Sequence, residues 1–184
     1  MKQKKRRGFI FILSIIVIVC AIIPVIKVNQ RYPEPKKVMI EKGIKGKQKE
    51  GLSLTIRETK WLNRKELEEN YANTLTMLEK RDYKAVFVKA ILKNETEQEQ
   101  KFFVYNLYLE SDIHFYNGLD MELYTAIEGN PAAEIILKPK EEISMTLPYS
   151  ISDLYFEKNQ WETLEENLFY LVEERYPEKI CWEI

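Results

Sequence analysis

Two cysteines, one histidine and six glycines are all that these 184 residues contain of those types. Cys20 lies inside an apolar run and Cys181 stands near the C-terminus, so no framework of disulfide bridges can be built. A lone His114, with neither a His-x-x-x-His nor a Cys-x-x-Cys spacing, gives no metal-ligand pattern. No glycine-rich phosphate loop, Gly-x-Ser-x-Gly elbow, Ser-x-x-Lys or Cys-His signature occurs. The sequence therefore points to no enzyme, no catalytic residue, no metal and no cofactor. Internal repeats and low-complexity tracts are absent too. Beyond the N-terminal segment about 150 residues remain, the size of one domain that can bury about two thirds of its unfolded surface without staples.

Acidic residues are missing from the start of the chain. Of the 28 Lys and Arg, seven fall within the first 31 residues, which hold no Asp or Glu. The remaining 21 face all 29 acidic residues, leaving the body with a net charge of about −8. Such a body repels phosphate backbones, and no basic stripe interleaved with aromatics offsets it, which argues against nucleic-acid binding.

The one long apolar run is at the N-terminus. Residues 8–28 hold an uncharged stretch from Gly8 to Ile26, long enough at about 1.5 Å per residue to cross a hydrocarbon core. Its Ile, Leu, Val and Phe side chains sum to about −4 to −8 kcal/mol for insertion. Five basic residues in positions 1–7 place that end in the cytoplasm by the positive-inside rule. A single uncleaved membrane span is the expectation, with the rest of the chain extracellular. Two alternatives are a lipoprotein cysteine at Cys20 and a cleaved signal peptide. Val19 before the cysteine is too bulky for the first, and the second lacks a small-x-small pair. Residues 29–37, with Pro33 and Pro35, read as a stiff stalk.

From residue 38 the body reads as mainly β. Val38 to Ile40 suggests a short strand, Gly43 to Gly51 a loop, and Leu52, Leu54 and Ile56 alternate as one buried strand face. A helix over residues 64–72 is expected from a capping box, Asn63 with Glu66, and from Leu67, Tyr71, Leu75 and Leu78 at helical spacing. Further strands are expected over 83–92, 102–109, 113–116, 119–125, 134–137, 143–147, 168–172 and 180–184. Asn117-Gly118, Gly129-Asn130-Pro131 and Lys138-Pro139-Lys140 punctuate them as turns. Residues 159–166 suggest a helical turn. Short strands with frequent turns and no βα alternation predict two packed sheets.

Several stretches carry a resemblance. They are the Pro33-Glu34-Pro35 stalk after a basic single-span N-terminus, Gly51-Leu52-Ser53-Leu54-Thr55-Ile56, and Val86-Phe87-Val88-Lys89-Ala90-Ile91-Leu92-Lys93-Asn94. Leu137-Lys138-Pro139-Lys140-Glu141-Glu142-Ile143 and the tail from Tyr170 to Ile180 complete the set. Together they resemble the uncharacterised, membrane-anchored immunoglobulin-like extracellular domains of Gram-positive bacteria, a family of unknown function. The resemblance implies an immunoglobulin-like β-sandwich with one or two short helical insertions, spanning 38–184 and preceded by a single transmembrane helix. It implies no catalytic residues. The family commonly carries glycine where this chain has Lys140.

Chemistry is sparse in this reading. The paired carboxylates Glu141-Glu142, Glu165-Glu166 and Glu173-Glu174 read as solvated surface rather than a hydrolase pair. Asp112, Asp120 and Glu122 match no calcium loop. Alternation in the tail turns Cys181 away from the face that holds Ile180, Trp182 and Ile184, against a neighbouring strand or loop. What remains is a binding module on the cell membrane, engaging another protein or an envelope component. Tyr105, Tyr108, Phe115 and Tyr116 are its candidate surface. An immunity or stress-protection protein against a secreted toxin or peptide is the alternative. The oligomeric state is not legible.

Overall fold

Alternating apolar side chains produce strands because one face of each must be buried, and this chain meets that demand with two sheets closed over one core. The computed structural model describes residues 18, 20–48, 51–72, 81–174 and 176–184. They fall into two compact units, Met1–Lys36 and Lys37–Ile184. In the first, residues 20–31 form helix α1 with exposed side chains, Cys20 among them. No helix among the described residues is long and apolar enough to cross a membrane. Most of the 8–28 run lies outside the described residues. The stalk expectation is corrected at both ends. Helix α1 continues through residues 29–31, and Lys36 and Lys37 already belong to a strand, so only residues 32–35 lie between the two elements.

In the second unit one sheet has the order β1-β11-β10-β6-β7, built from Lys36–Ile40, Glu178–Glu183, Phe169–Glu174, Leu107–Ser111 and Tyr116–Gly118. The other has the order β2-β3-β4-β9, from Gly46–Lys47, Leu52–Leu62, Tyr83–Asn94 and Glu142–Ser152. A short pair, β5 (Gln100–Phe103) with β8 (Glu134–Leu137), carries Phe102, Ile135 and Leu137 into the core. The fold is therefore a β-sandwich with a few short helices. Its core interleaves Leu54 and Ile56 of β3, Val86 and Val88 of β4 and Leu147 of β9 with Leu109 of β6, Leu171 of β10 and Trp182 of β11. The buried Tyr149 hydroxyl of β9 donates to the Leu107 carbonyl of the opposite sheet, and burial pushes that phenol well above its ordinary pKa.

A bulge in β3 lets one sheet bury both of its faces. Ile56 pairs with Ala90 and Glu58 with Lys89, so Arg57 is the extra residue. Past it the inward positions move from even to odd numbers, and Trp61 reaches the core edge against Phe169, with ring centroids 5.1 Å apart. Leu62 consequently emerges on the outer face, where the unbroken alternation of β4 already puts Ala85 and Phe87. There they meet Leu67 of α2 (Arg64–Tyr71) and Leu123 of α3 (Met121–Ala126) in a second cluster. The expected capping box of α2 is present, with the Glu66 amide donating to Asn63 Oδ1 and the Asn63 amide to Glu66 Oε2. Leu75 and Leu78 lie outside the described residues.

Four local expectations are overturned. Residues 119–125 contain helix α3 instead of a strand, because Asp120 caps it by accepting from the Leu123 amide and Glu122 sits in its first turn. Of the strand expected over 113–116 only Tyr116 is in a strand, Ile113 and His114 turn, and His114 takes the left-handed φ of 63°. Asn117-Gly118 is not a turn but part of β7. The run 102–109 is broken by a 3-10 turn at Val104–Asn106 that carries the chain from β5 to β6. Lys140, where the resembling family has glycine, adopts φ 62°. Its ammonium offsets that cost by bonding the Glu95 carbonyl at 2.7 Å and Glu97 at 2.8 Å.

A polar atom is wasted where α3 meets the main core. Tyr124 is buried and its hydroxyl has no hydrogen-bond partner among the described residues, and burial pushes that phenol up to about 12. Tyr124→Phe is expected to stabilise the fold by about 0.5–1 kcal/mol, measured from the urea midpoint. The raised pKa sets a sign as well. Stability contributed by the neutral phenol is complete below the unfolded pKa of about 10 and is lost as pH climbs through the folded value, a loss the substitution removes.

A candidate aromatic pocket

The turn between β6 and β7 and the chain leaving β9 close on each other to form a pocket of about 460 Å³. On the first side the Ser111 hydroxyl accepts the Phe115 amide, and the Ser111 amide donates to the Phe115 carbonyl at 2.9 Å, which pins the turn and drives the Phe115 ring inward. On the second side β9 ends in a 3-10 turn, Asp153–Tyr155, started by Ser152 accepting from the Leu154 amide. Helix α4 (Lys158–Glu162) follows, and the Glu157 amide donates to Gln160 Oε1 at 3.0 Å. These local bonds aim Tyr155, Phe156 and Gln160 at the same space as Phe115, Tyr116 and Asn117.

The walls are a chain of rings. Phe115 lies 5.2 Å from Phe156 and 6.2 Å from Tyr155, and Phe156 lies 6.0 Å from Trp161, centroid to centroid. Trp161 is fixed in turn, its indole donating to Asp82 Oδ2 at 2.9 Å beneath the Lys84 ammonium. Tyr155 is 67 % exposed and Tyr116 49 %, so the outer rings are open to solvent while Phe115 and Trp161 back them. Asn117 donates to the Ser150 carbonyl at 2.6 Å and accepts from the Gly118 amide at 2.9 Å, which holds its amide beside the rings. Neither Asp, Glu, Lys nor Arg lines the space among the described residues.

The expected surface splits. Tyr108 and Tyr116 come together, stacked with centroids 5.1 Å apart on β6 and β7, and Tyr116 reaches the pocket as well. Phe115 is core-facing and forms the pocket floor rather than an exposed contact. Tyr105 sits in the 3-10 turn before β6 against Phe103, at 5.3 Å, and does not line the pocket. Tyr155, Phe156, Asn117 and Gln160 were not anticipated. The signal for the first two was an exposed-looking Leu154-Tyr155-Phe156 run directly before a Glu-x-x-Gln helix start.

His114 lines the pocket mouth, exposed, with strained backbone and no side-chain partner among the described residues. His114→Gly is expected to raise stability by about 0.5–1 kcal/mol, seen as a higher thermal midpoint. The other polar candidates are spent structurally. Asp120 caps α3 and accepts from Ser150, and the Glu141 carboxylate accepts from the Lys138 amide at 2.7 Å. Glu165 pairs with Lys84 at 2.9 Å, and no three His, Cys, Asp or Glu among the described residues could hold a metal. Glu173 is buried on the inward row of β10 with Phe169 and Leu171, contrary to the solvated-surface expectation. Cys181 is buried beside Val172 of β10. A smaller hollow over β3 and β4 is charged, and there the Lys45 and Ser53 hydrogen bonds hold the Glu95 carboxyl below its ordinary range.

No curated protein matches the chain in sequence. Among solved structures it is similar to a functionally unknown protein from Listeria monocytogenes, 12 % identical with a TM-score of 0.52, over 78 % of this chain and 83 % of that one. It is also similar to an uncharacterised β-sandwich protein from Clostridium difficile, 11 % identical, TM-score 0.45, over 82 % and 96 %. A conserved hypothetical protein from Bacillus anthracis is 15 % identical, TM-score 0.46, over 74 % and 92 %. All three come from Gram-positive bacteria. The match that names a family covers residues 29–180, nearly the whole sandwich with the segment that leads into it, and by it the chain belongs to the DUF5028 family, a domain of unknown function.

Proposed function

We propose that this chain is a binding module without enzymatic activity, an immunoglobulin-like sandwich held on the outer face of the cell membrane by its N-terminal apolar run. The observation that carries the reading is the pocket: exposed rings of Tyr116 and Tyr155 over a floor of Phe115, lined among the described residues by rings, amides, Ile113 and His114. Strand order supports the immunoglobulin-like assignment. In that scheme β3, β4 and β9 are strands A, B and E, while β6, β10 and β11 are C, F and G with β7 as C′. The uncharged run from Gly8 to Ile26 behind five basic residues supports the anchor.

The test is crosslinking in intact cells with an amine reagent that cannot cross membranes. The full chain is expected to give a discrete adduct with a protein or envelope polymer, and Tyr116→Ala with Tyr155→Ala to abolish it. A chain that stays unlabelled until the cells are broken, or an adduct indifferent to those substitutions, would overturn the reading.

A further inference from the structure

The lining of the pocket defines the chemistry of what it holds. In a chain of which 31 % is charged, a space bordered only by rings, amides, one aliphatic side chain and one imidazole is a marked departure from the rest of the surface. It offers no permanently charged side chain to a phosphate, a carboxylate or an ammonium group, and leaving such an ion unpaired against aromatic walls is costly. Nor is it a greasy slot. Asn117 and Gln160 each commit their carbonyl oxygen to a backbone amide, at 2.9 and 3.0 Å, which fixes the side-chain amides and turns their N–H groups into oriented donors. Asn117 spends one of its N–H groups on Ser150. The Gln160 N–H groups have no partner among the described residues.

The ligand that fits such a space is neutral, presents a flat apolar face to a tyrosine or phenylalanine ring, and carries acceptors around its edge for fixed N–H donors. A pyranose ring has that distribution: axial C–H groups on its faces, hydroxyl and ring oxygens on its rim. We infer that the pocket between the β6–β7 turn and α4 binds a short neutral saccharide, stacked on Tyr155 and Tyr116 and hydrogen-bonded by Asn117 and Gln160. A volume of about 460 Å³ lies within the range of small-molecule sites and accommodates a saccharide of one or two rings. The stacked Tyr108 behind Tyr116 extends the platform for a longer chain. The inference rests on the binding-module reading and specifies its ligand.

The full chain is titrated calorimetrically, in a surfactant without sugar groups, with N-acetylglucosamine oligomers, with neutral glucose oligomers and with inorganic phosphate. Binding of one neutral series is expected, insensitive to salt because no ion pair is involved, and none of phosphate. The series that binds separates an acetamido-sugar polymer from a plain glucan as the source. Tyr155→Ala should weaken it about tenfold with the thermal midpoint unchanged, Gln160→Ala should weaken it about tenfold with a small fall in midpoint from the lost bond to the Glu157 amide, and Tyr155→Phe should retain it. Absence of binding by both neutral series, binding of phosphate alone, or affinity unmoved by Tyr155→Ala would overturn the inference. If sugar binding fails while the crosslinked adduct still depends on Tyr116 and Tyr155, the ligand assignment falls and the module reading stands.

Discussion

Trp182→Ala is expected to destabilise the domain by about 3–5 kcal/mol, a large part of the total for a fold of this size. Trp182 is fully buried at the inner face of β11, opposite Leu171, and is among the largest wholly enclosed side chains. Its indole lies directly over Gly46 of β2, where a Cβ would overlap both the ring and Ile40 Cδ1. One residue thus fills the space between β1, β2 and β11 and ties the edge of one sheet to that of the other. Deleting it leaves a cavity that three strands cannot collapse to fill. The indole nitrogen has no hydrogen-bond partner among the described residues, so the contribution is packing rather than polarity. Trp182→Phe is accordingly expected to cost only about 1–2 kcal/mol, since it sheds an unsatisfied N–H along with part of the volume. Denaturant midpoints of the two variants separate the cases, and equal losses would contradict the packing account.

The same residue illustrates what the sequence made legible. Alternation in Ile180-Cys181-Trp182-Glu183-Ile184 put Trp182 inward because a period of two needs nothing beyond neighbouring residues, and the structure agrees. Leu52, Leu54 and Ile56 were readable in the same way, and so was α2, whose start is written in Asn63 and Glu66. The bulge at Arg57 was not. It is imposed by pairing with Lys89 and Ala90 of β4, more than thirty residues away, and it inverts which side of β3 faces the core. Short segments failed where local chemistry competed with pattern. Leu119 to Thr125 is apolar enough for a strand, yet Asp120 as a cap and Met121, Glu122 and Leu123 as helix formers win. Ile113 to Tyr116 looks extended, but the Ser111 hydroxyl closes a turn over the Phe115 amide. The pocket was half legible. Phe115 and Tyr116 stood out as aromatics, whereas Tyr155, Phe156 and Gln160 arrive from some forty residues further on, and only the sandwich brings them together.

Asn94→Asp carries the second large expected effect, and its size depends on pH. Asn94 ends β4 fully buried, and its amide nitrogen donates to three carbonyls: Gln98 at 2.7 Å, Lys138 at 2.9 Å and Leu137 at 3.2 Å. Its oxygen accepts from the Thr96 amide at 2.9 Å and the Thr96 hydroxyl at 2.8 Å. A single side chain thereby fastens the turn after β4 to the chain connecting β8 and β9. Substituting a carboxylate keeps the Thr96 bonds but sets a negative oxygen against three carbonyl oxygens in a fully buried position, at a cost of about 3–5 kcal/mol near neutrality. Protonation restores one donor. The introduced carboxyl therefore has a folded pKa above its unfolded value of about 3.9, so the variant recovers stability as pH falls and loses it as pH rises through the folded pKa. The neighbouring Glu95 runs the other way, since the Lys45 and Ser53 bonds lower its pKa and its contribution is lost on acidification. That slope is present in the parent chain as well, so the difference between the two reports the introduced carboxyl together with its coupling to Glu95. The measurement is the difference in urea midpoint between them from pH 7 down to about 4. It should narrow steadily for Asn94→Asp, while Asn94→Ala, which removes the donor without adding a charge, should cost about 2–3 kcal/mol at every pH. A difference for Asn94→Asp that does not move with pH would mean that the three carbonyls find water when the amide is gone, and that this amide is not what holds the end of the sandwich closed.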